Sequence, residues 1–180
     1  MTLAEEYERL CATPSDIYEH LPTLAGMVRE HKARHVIELG TRSGVSTVAW
    51  LYGLLYTGGM LTSVDIDEAP DVDPGPVSWR FIQGDDCDPA VLTQLEPADI
   101  VFIDTSHTYD HTLAELNLYR WLVKPGGRIV CHDTELAHPD DAPPRPAYPV
   151  KKAVEQFCAD TGFTVTYHRN CFGIGIIEGF

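Results

Sequence analysis

Two glycines four residues apart, Gly40 and Gly44, follow the short apolar run His35-Val36-Ile37-Glu38-Leu39. Glycine at such places lets a backbone bend sharply and approach a ligand closely. A helix beginning just beyond them offers free N–H groups at its N-terminus. Asp65 lies 21 residues after Gly44, about where a carboxylate must sit to accept both hydroxyls of a ribose. The pair points to a nucleoside-type ligand. A dinucleotide fingerprint starting at Gly40 would need glycine at 42 and 45, where the chain has Arg42 and Val45, and the P-loop pattern is absent. Glu38, just before the bend, would repel a pyrophosphate and suit an ammonium or sulfonium group. Further along stand Asp104, His107, His132 and Asp133. Carboxylate oxygens with an imidazole suit Mg²⁺, Mn²⁺ or Fe²⁺ better than a closed structural zinc site. An imidazole also titrates near working pH and can serve as a base.

These residues do chemistry together only if the fold brings them to one place. Residues 1–20 read as a short acidic helix broken at Pro14, and Leu21–His31 as a helical stripe. The period then shortens: His35–Leu39 is a buried strand running into Gly40. Ser43–Tyr56 returns to helical spacing and stops at Gly58-Gly59. Met60–Ile66 and Val77–Ile82 read as strands, Pro89–Leu95 as a short helix and Asp99–Ile103 as a strand. His111–Val123 is an amphipathic helix ended by Lys124-Pro125-Gly126-Gly127, with the strand Arg128–Cys131 after it. Residues 135–149 form a proline-rich loop, placed to act as a lid or a plain crossover. Val150–Thr161 is a helix, and Phe163–Tyr167 and Cys171–Ile177 are strands joined by Arg169-Asn170.

Strands alternating with helices imply right-handed β-α-β units. The fold class expected is α/β: a Rossmann-like, doubly wound, mainly parallel sheet of about seven strands with a C-terminal antiparallel hairpin. One domain spans 1–180, with a helical segment 1–32, a ligand-binding core 33–134, the loop 135–149, and a helix with closing hairpin over 150–180. Ligands of such sheets bind beyond the carboxyl ends of the strands, where the residues above fall.

Composition narrows the partners. With 13 Lys plus Arg against 27 Asp plus Glu, the formal net charge is −14. Such a surface repels a nucleic-acid backbone and an anionic bilayer and tolerates a cationic ligand. The acidic start MTLAEEYERL is unlike a signal peptide, so a cytoplasmic protein is expected. Five scattered cysteines without a C-x-x-C pair read as reduced thiols. Tyr119 and Trp121 read as packing residues, and His20, His31 and His138 as surface groups.

Glu38-x-Gly40-x-x-x-Gly44 resembles motif I of the class I S-adenosylmethionine-dependent methyltransferases, with Arg42 in place of the usual central glycine. Asp65, followed by Ile66, resembles their ribose-binding acid, and Gly84-Asp85-Asp86 resembles the segment that contacts adenine. Gly40-Thr41-Arg42-Ser43-Gly44-x-Ser46, the run Phe102–Asp110 and the run Gly126–Thr134 are similar to the branch of cephalosporin hydroxylase-like and macrocin/rhamnosyl O-methyltransferase-like proteins. The resemblance implies that Glu38, Gly40, Thr41, Arg42, Ser43, Gly44, Ser46, Asp65, Ile66, Gly84, Asp85, Asp86 and Asp104 bind S-adenosylmethionine. It also implies that Asp104 and Asp133 hold a divalent ion. His132 stands where relatives commonly carry Asp, Glu or Asn, which puts magnesium in question.

The expected activity is therefore methylation of a small-molecule hydroxyl, with His107 as base, or Asp104 if no metal binds. Asp104, His132 and Asp133 are the metal candidates. Two other readings stay open. His107, His132 and one Asp would make a two-histidine-one-carboxylate iron site of an oxygenase. A non-catalytic cofactor-binding module is the other. A chain this short without an inserted cap must draw acceptor contacts from its N-terminal helix, from 135–149 or from a second subunit, so a homo-oligomer is a further expectation.

Overall fold

The computed structural model describes residues 1–137 and 147–180. His138 and most of the proline-rich loop, with its lid role, lie outside the described residues. Seven strands form one sheet in the order β3-β2-β1-β4-β5-β7-β6. They are β1 (His35–Leu39), β2 (Met60–Asp65), β3 (Ser78–Gln83), β4 (Ala98–Ile103), β5 (Val123–His132), β6 (Thr164–His168) and β7 (Ile174–Glu178). The first five pair in parallel, and β7 runs antiparallel to both β5 and β6. The fold is the mainly parallel α/β sheet with a closing hairpin that the sequence predicts.

Helices cover both faces. On one, α1 (Leu3–Cys11), α2 (Leu21–Glu30) and α3 (Val45–Thr57) pack a core that includes Leu24, Trp50, Leu51 and Phe102. On the other, α4 (Pro89–Leu92), α5 (Tyr109–Tyr119) and α6 (Pro149–Thr161) enclose Ile37, Leu39, Leu116, Tyr119 and Phe157. Successive strand residues face opposite layers. In β1, Val36 joins the first core and Ile37 and Leu39 the second, so Glu38 faces α3. All five residues of β1 are buried. A strand covered on both faces shows no polar alternation from which its sides could be read.

Some boundaries differ from the sequence reading. The helix expected over 111–123 is α5, ending at Tyr119, and β5 begins at Val123. Lys124-Pro125-Gly126-Gly127 thus lies inside the strand. There the register jumps from Ala98↔Val123 to Ile100↔Arg128, the signature of a bulge. Gly126 takes φ +77 and donates its N–H to Phe180 O at 2.9 Å. Tyr119 is fully buried as expected, but Trp121 is 75% exposed with the Arg120 guanidinium over its ring. The last strand starts at Ile174, because Cys171, Phe172 and Gly173 all have positive φ and turn the chain before it can pair. His31 is exposed; His20, expected at the surface, is 1% exposed. No helix among the described residues is long and apolar enough to cross a membrane.

Candidate active site

Strand order reverses between β1 and β4, and crevices at such switch points hold ligands. Gly40 sits at the carboxyl end of β1, bonded to β2 through its N–H to Val64 O at 2.9 Å. Asp104 follows β4, with its N–H on Leu39 O at 2.9 Å. The two meet so closely that a Cβ on Gly40 would stand 2.0 Å from Asp104 O, and Gly40 has φ +83. Only glycine fits there. Gly44, φ +85, is the N-cap of α3.

Two cavities open on either side of this bend. The larger, about 330 Å³, is lined by Gly40, Arg42, Asp65, Ile66, Gly84, Asp85, Asp86 and Asp104, with Thr105, Ser106 and His111. The smaller, about 90 Å³, is lined by Thr41, Arg42, Ser43, Ser46 and Asp104 with Ser15, Asp16 and Ile17 of the N-terminal segment. Gly40, Arg42 and Asp104 belong to both. Except for Glu38 and Gly44, every residue expected to bind the cofactor therefore lines one cavity or both. Gly44 closes the bend from behind, its Cα packed toward Val72 and Pro70.

Asp65 ties down the bend. Its Oδ2 accepts the Thr41 N–H at 2.6 Å, the Arg42 N–H at 3.2 Å and the Thr41 hydroxyl at 2.9 Å, and Oδ1 accepts the Asp67 N–H at 3.0 Å. Burial opposes ionisation, but these donated bonds outweigh it and lower the carboxyl below its usual range. Glu38 lines neither cavity. Facing α3, it accepts hydroxyls from Ser46 at 2.7 Å, Thr47 at 2.9 Å and Ser63 at 2.6 Å. Complete burial pushes its carboxyl up to about 7 against those bonds. Its place is beneath the loop, joining β1, β2 and the first turn of α3, with no face toward a cationic ligand.

Past Asp104, four side chains converge from two strand ends. His107 Nε2 lies 2.9 Å from Asp133 Oδ2 and 3.4 Å from Asp104 Oδ1. His132 Nδ1 lies 3.1 Å from Asp133 Oδ2 and 3.3 Å from Asp104 Oδ1. His107 and Asp133 hold left-handed backbone, φ 54 and 60, a strain that non-glycine residues carry mostly where function demands it. Bonds from Asp104 and Asp133 raise His107 to about 9 despite burial. Burial alone would lower His132, but the same two carboxylates raise it to about 10. For Asp104 the order reverses: burial pushes up, and the two imidazoles pull it well below the carboxylate range. One donor atom each from Asp104, His132 and Asp133 lies within 4.8 Å of the others. His107 is not one of those three, although its Nε2 approaches the same two carboxylate oxygens.

The more similar proteins fit this geometry. Residues 37–134, more than half of the chain, match the model of a methyltransferase domain family. The chain belongs to that family. A provisionally named O-methyltransferase of Mycolicibacterium vanbaalenii is 33% identical over 115 residues, covering 58% of this chain and 49% of that protein. The rhamnosyl O-methyltransferase of Mycobacterium tuberculosis H37Rv is 28% identical over 123 residues, covering 58% and 47%. The chain thus spans about half the length of the curated relatives it matches. Among solved structures, the MycE methyltransferase of the mycinamycin pathway, in complex with Mg and S-adenosylhomocysteine, superposes with TM-score 0.71 at 22% identity. That match covers 98% of this chain and 53% of MycE, and at such identity it speaks for the fold.

The methyltransferase match contains every residue expected from sequence to serve the site, Glu38 through Asp133. Other side chains that touch these groups lie inside and outside it. Asp16 pairs with Arg42 and closes the smaller cavity. His111 Nε2 stands 3.0 Å from Asp86 Oδ1 at the wall of the larger cavity. Glu115, one turn further along α5, is fully buried and accepts the Thr105 hydroxyl at 2.7 Å. Burial and Asp86 hold the Glu115 carboxyl well above its usual range. A glutamate at a core position of α5, four residues after a histidine, was the available signal. His20 Nε2 donates to Asn170 O, 2.6 Å away, and its ring stands edge-on to His132; nothing local in the sequence marks it.

Proposed function

We propose that the protein transfers the methyl group of S-adenosylmethionine to a hydroxyl of a small molecule, with a divalent ion held by Asp104, His132 and Asp133. The observation that carries this reading is the position of Asp104. It borders both cavities and also stands within 3.4 Å of His107. A methyl donor spanning the bend would therefore present its reacting end beside a group able to take a proton.

The larger cavity suits the adenosine portion, with Asp65 at the sugar and Gly84–Asp86 with His111 at the base. The smaller suits the amino-acid portion, between Ser43, Ser46 and the Asp16–Arg42 pair. Methyl transfer from a sulfonium is an in-line displacement that needs positioning and removal of one proton. His107, once neutral, would take that proton; the carboxylates of Asp104 and Asp133 otherwise hold a proton on its Nε2. When bound at the three donors, a divalent ion would acidify the acceptor hydroxyl and draw off carboxylate charge that otherwise keeps His107 protonated. Acceptor contacts come from the N-terminal segment, from the chain after Thr134, or from a second copy of the chain. The relatives' names, a rhamnosyl O-methyltransferase among them, support oxygen as the atom methylated.

Calorimetric titration with S-adenosylhomocysteine and with NAD tests the donor site. Binding of the first and not the second is expected; binding of NAD alone, or of neither, overturns the reading.

A further inference from the structure

We propose that the cation site prefers a transition-metal dication of the Mn²⁺, Fe²⁺ or Co²⁺ kind over Mg²⁺, because its third donor is an imidazole nitrogen held in one tautomer by the backbone of the β6–β7 turn. The inference rests on the reading that Asp104, His132 and Asp133 hold a divalent ion, and it goes further by assigning the ion's chemical class.

The tautomer follows from the partners of His132. Nε2 lies 3.1 Å from the carbonyl oxygen of Cys171. A carbonyl can only accept, so Nε2 must carry the hydrogen. In the neutral ring the lone pair is then on Nδ1, the atom that faces Asp104 and Asp133. Metal-binding histidines are oriented in this way by a second partner on the far nitrogen. The separations of 3.3 and 3.1 Å from Nδ1 to the two carboxylate oxygens put the three donor atoms close enough for one cation to meet them all.

The carbonyl itself is held rigidly. Cys171, Phe172 and Gly173 run consecutively through positive φ, at 43, 60 and 81. Thr134 and Glu135 donate their N–H groups to Gly173 O at 3.3 Å and Phe172 O at 2.7 Å. A Cβ at Gly173 would stand 2.6 Å from Thr134 Oγ1, so turn and strand end fit only with glycine there. On the other side, buried His20 binds Asn170 O, while the Asn170 amide donates to Glu19 at 2.7 Å. His132 has 1% of its side chain exposed and cannot swing away to leave an all-oxygen site.

Mg²⁺ takes oxygen ligands and gives up its water reluctantly. Imidazole favours later first-row metals, whose affinity for nitrogen rises along the series. A neutral nitrogen in place of a third carboxylate also lowers the site's charge, which weakens the mainly electrostatic attraction on which Mg²⁺ depends.

The test uses the metal-stripped protein titrated calorimetrically with MnCl₂ and MgCl₂, without donor or acceptor. Mn²⁺ should bind at least tenfold more tightly than Mg²⁺, and His132→Glu should lower that ratio at least tenfold. Pulsed EPR of the Mn²⁺-loaded wild type should show coupling to an imidazole nitrogen, a readout that does not depend on how the variant folds. An absent nitrogen coupling overturns the proposal, as does an unchanged ratio in a folded His132→Glu protein. If neither ion binds, the divalent-site reading itself falls; if both bind without the nitrogen signature, only the present inference does.

Discussion

Gly40→Ala tests the joint between β1 and β4 on which both cavities depend. Two costs add. The first is the left-handed backbone, φ +83, about 1–2 kcal/mol for a residue with a Cβ. The second is the clash of that Cβ with Asp104 O at 2.0 Å and Asp104 C at 2.8 Å. These are backbone atoms fixed in the sheet through Asp104 N–H on Leu39 O, so relief requires the strand ends to part by roughly an ångström. Overpacking of this kind costs about 1–3 kcal/mol, which brings the total to about 2–5 kcal/mol. Gly126→Ala isolates the first cost, because Gly126 has φ +77 and nothing within 4 Å of its Cβ position. It should lose about 1–2 kcal/mol. Urea denaturation of the three proteins, with slopes compared, gives both differences. Calorimetry with S-adenosylhomocysteine should show binding weakened at least tenfold in Gly40→Ala and unchanged in Gly126→Ala. If the two variants are equally stable within about 0.5 kcal/mol, the close approach of Gly40 to Asp104 is wrong, and the shared wall of the cavities with it.

Asp65→Ala removes an acceptor of loop N–H groups as well as the proposed sugar contact, so S-adenosylhomocysteine affinity should fall by about 1.5–3 kcal/mol in calorimetry; unchanged affinity would remove Asp65 from the site. His107→Asn keeps a residue tolerant of left-handed backbone and should cut the methyl-transfer rate by about 10²–10⁴ while leaving donor affinity intact, measured with labelled donor once an acceptor is in hand. Glu38 has its native carboxyl raised to about 7 from 4.5, so the folded protein holds the proton more tightly and loses stability as pH rises through that window. Glu38→Gln lacks this titration, and its stability deficit against wild type should shrink by up to about 3 kcal/mol between pH 4.5 and 8, read from denaturation at each pH; a constant deficit would contradict the raised value.

Much of the frame was legible because its signals are local. The runs at β1 and β4 are short, apolar and β-branched, and each meets its chemistry at the next residues, Gly40 and Asp104. Spacing alone placed Asp65 at the end of β2. What escaped the sequence depended on sidedness or distance. Glu38 sits in a strand buried on both faces, so nothing in its neighbours shows that it turns toward α3 and away from both cavities. Lys124-Pro125-Gly126-Gly127 reads as a helix stop, yet sheet pairing with Ala98 draws it into β5 as a bulge. His20 looks like a surface residue in a polar stretch, and its burial comes from Asn170, 150 residues away. The anchor of His132 is a main-chain carbonyl, which no side-chain pattern announces.

The place of β7 has a consequence for how the molecule comes into being. It follows the other six described strands in the sequence, yet it inserts between β5 and β6, and the turn leading into it brings the Cys171 carbonyl to His132. Five strands and the glycine bend precede it in the sequence, so a growing chain has the two cavities in outline before the Cys171 carbonyl can reach His132. If the proposed cation site holds, metal uptake would then depend on the β6–β7 turn being in place. A chain shortened before residue 171 should keep much of its parallel core and have no properly oriented imidazole at position 132.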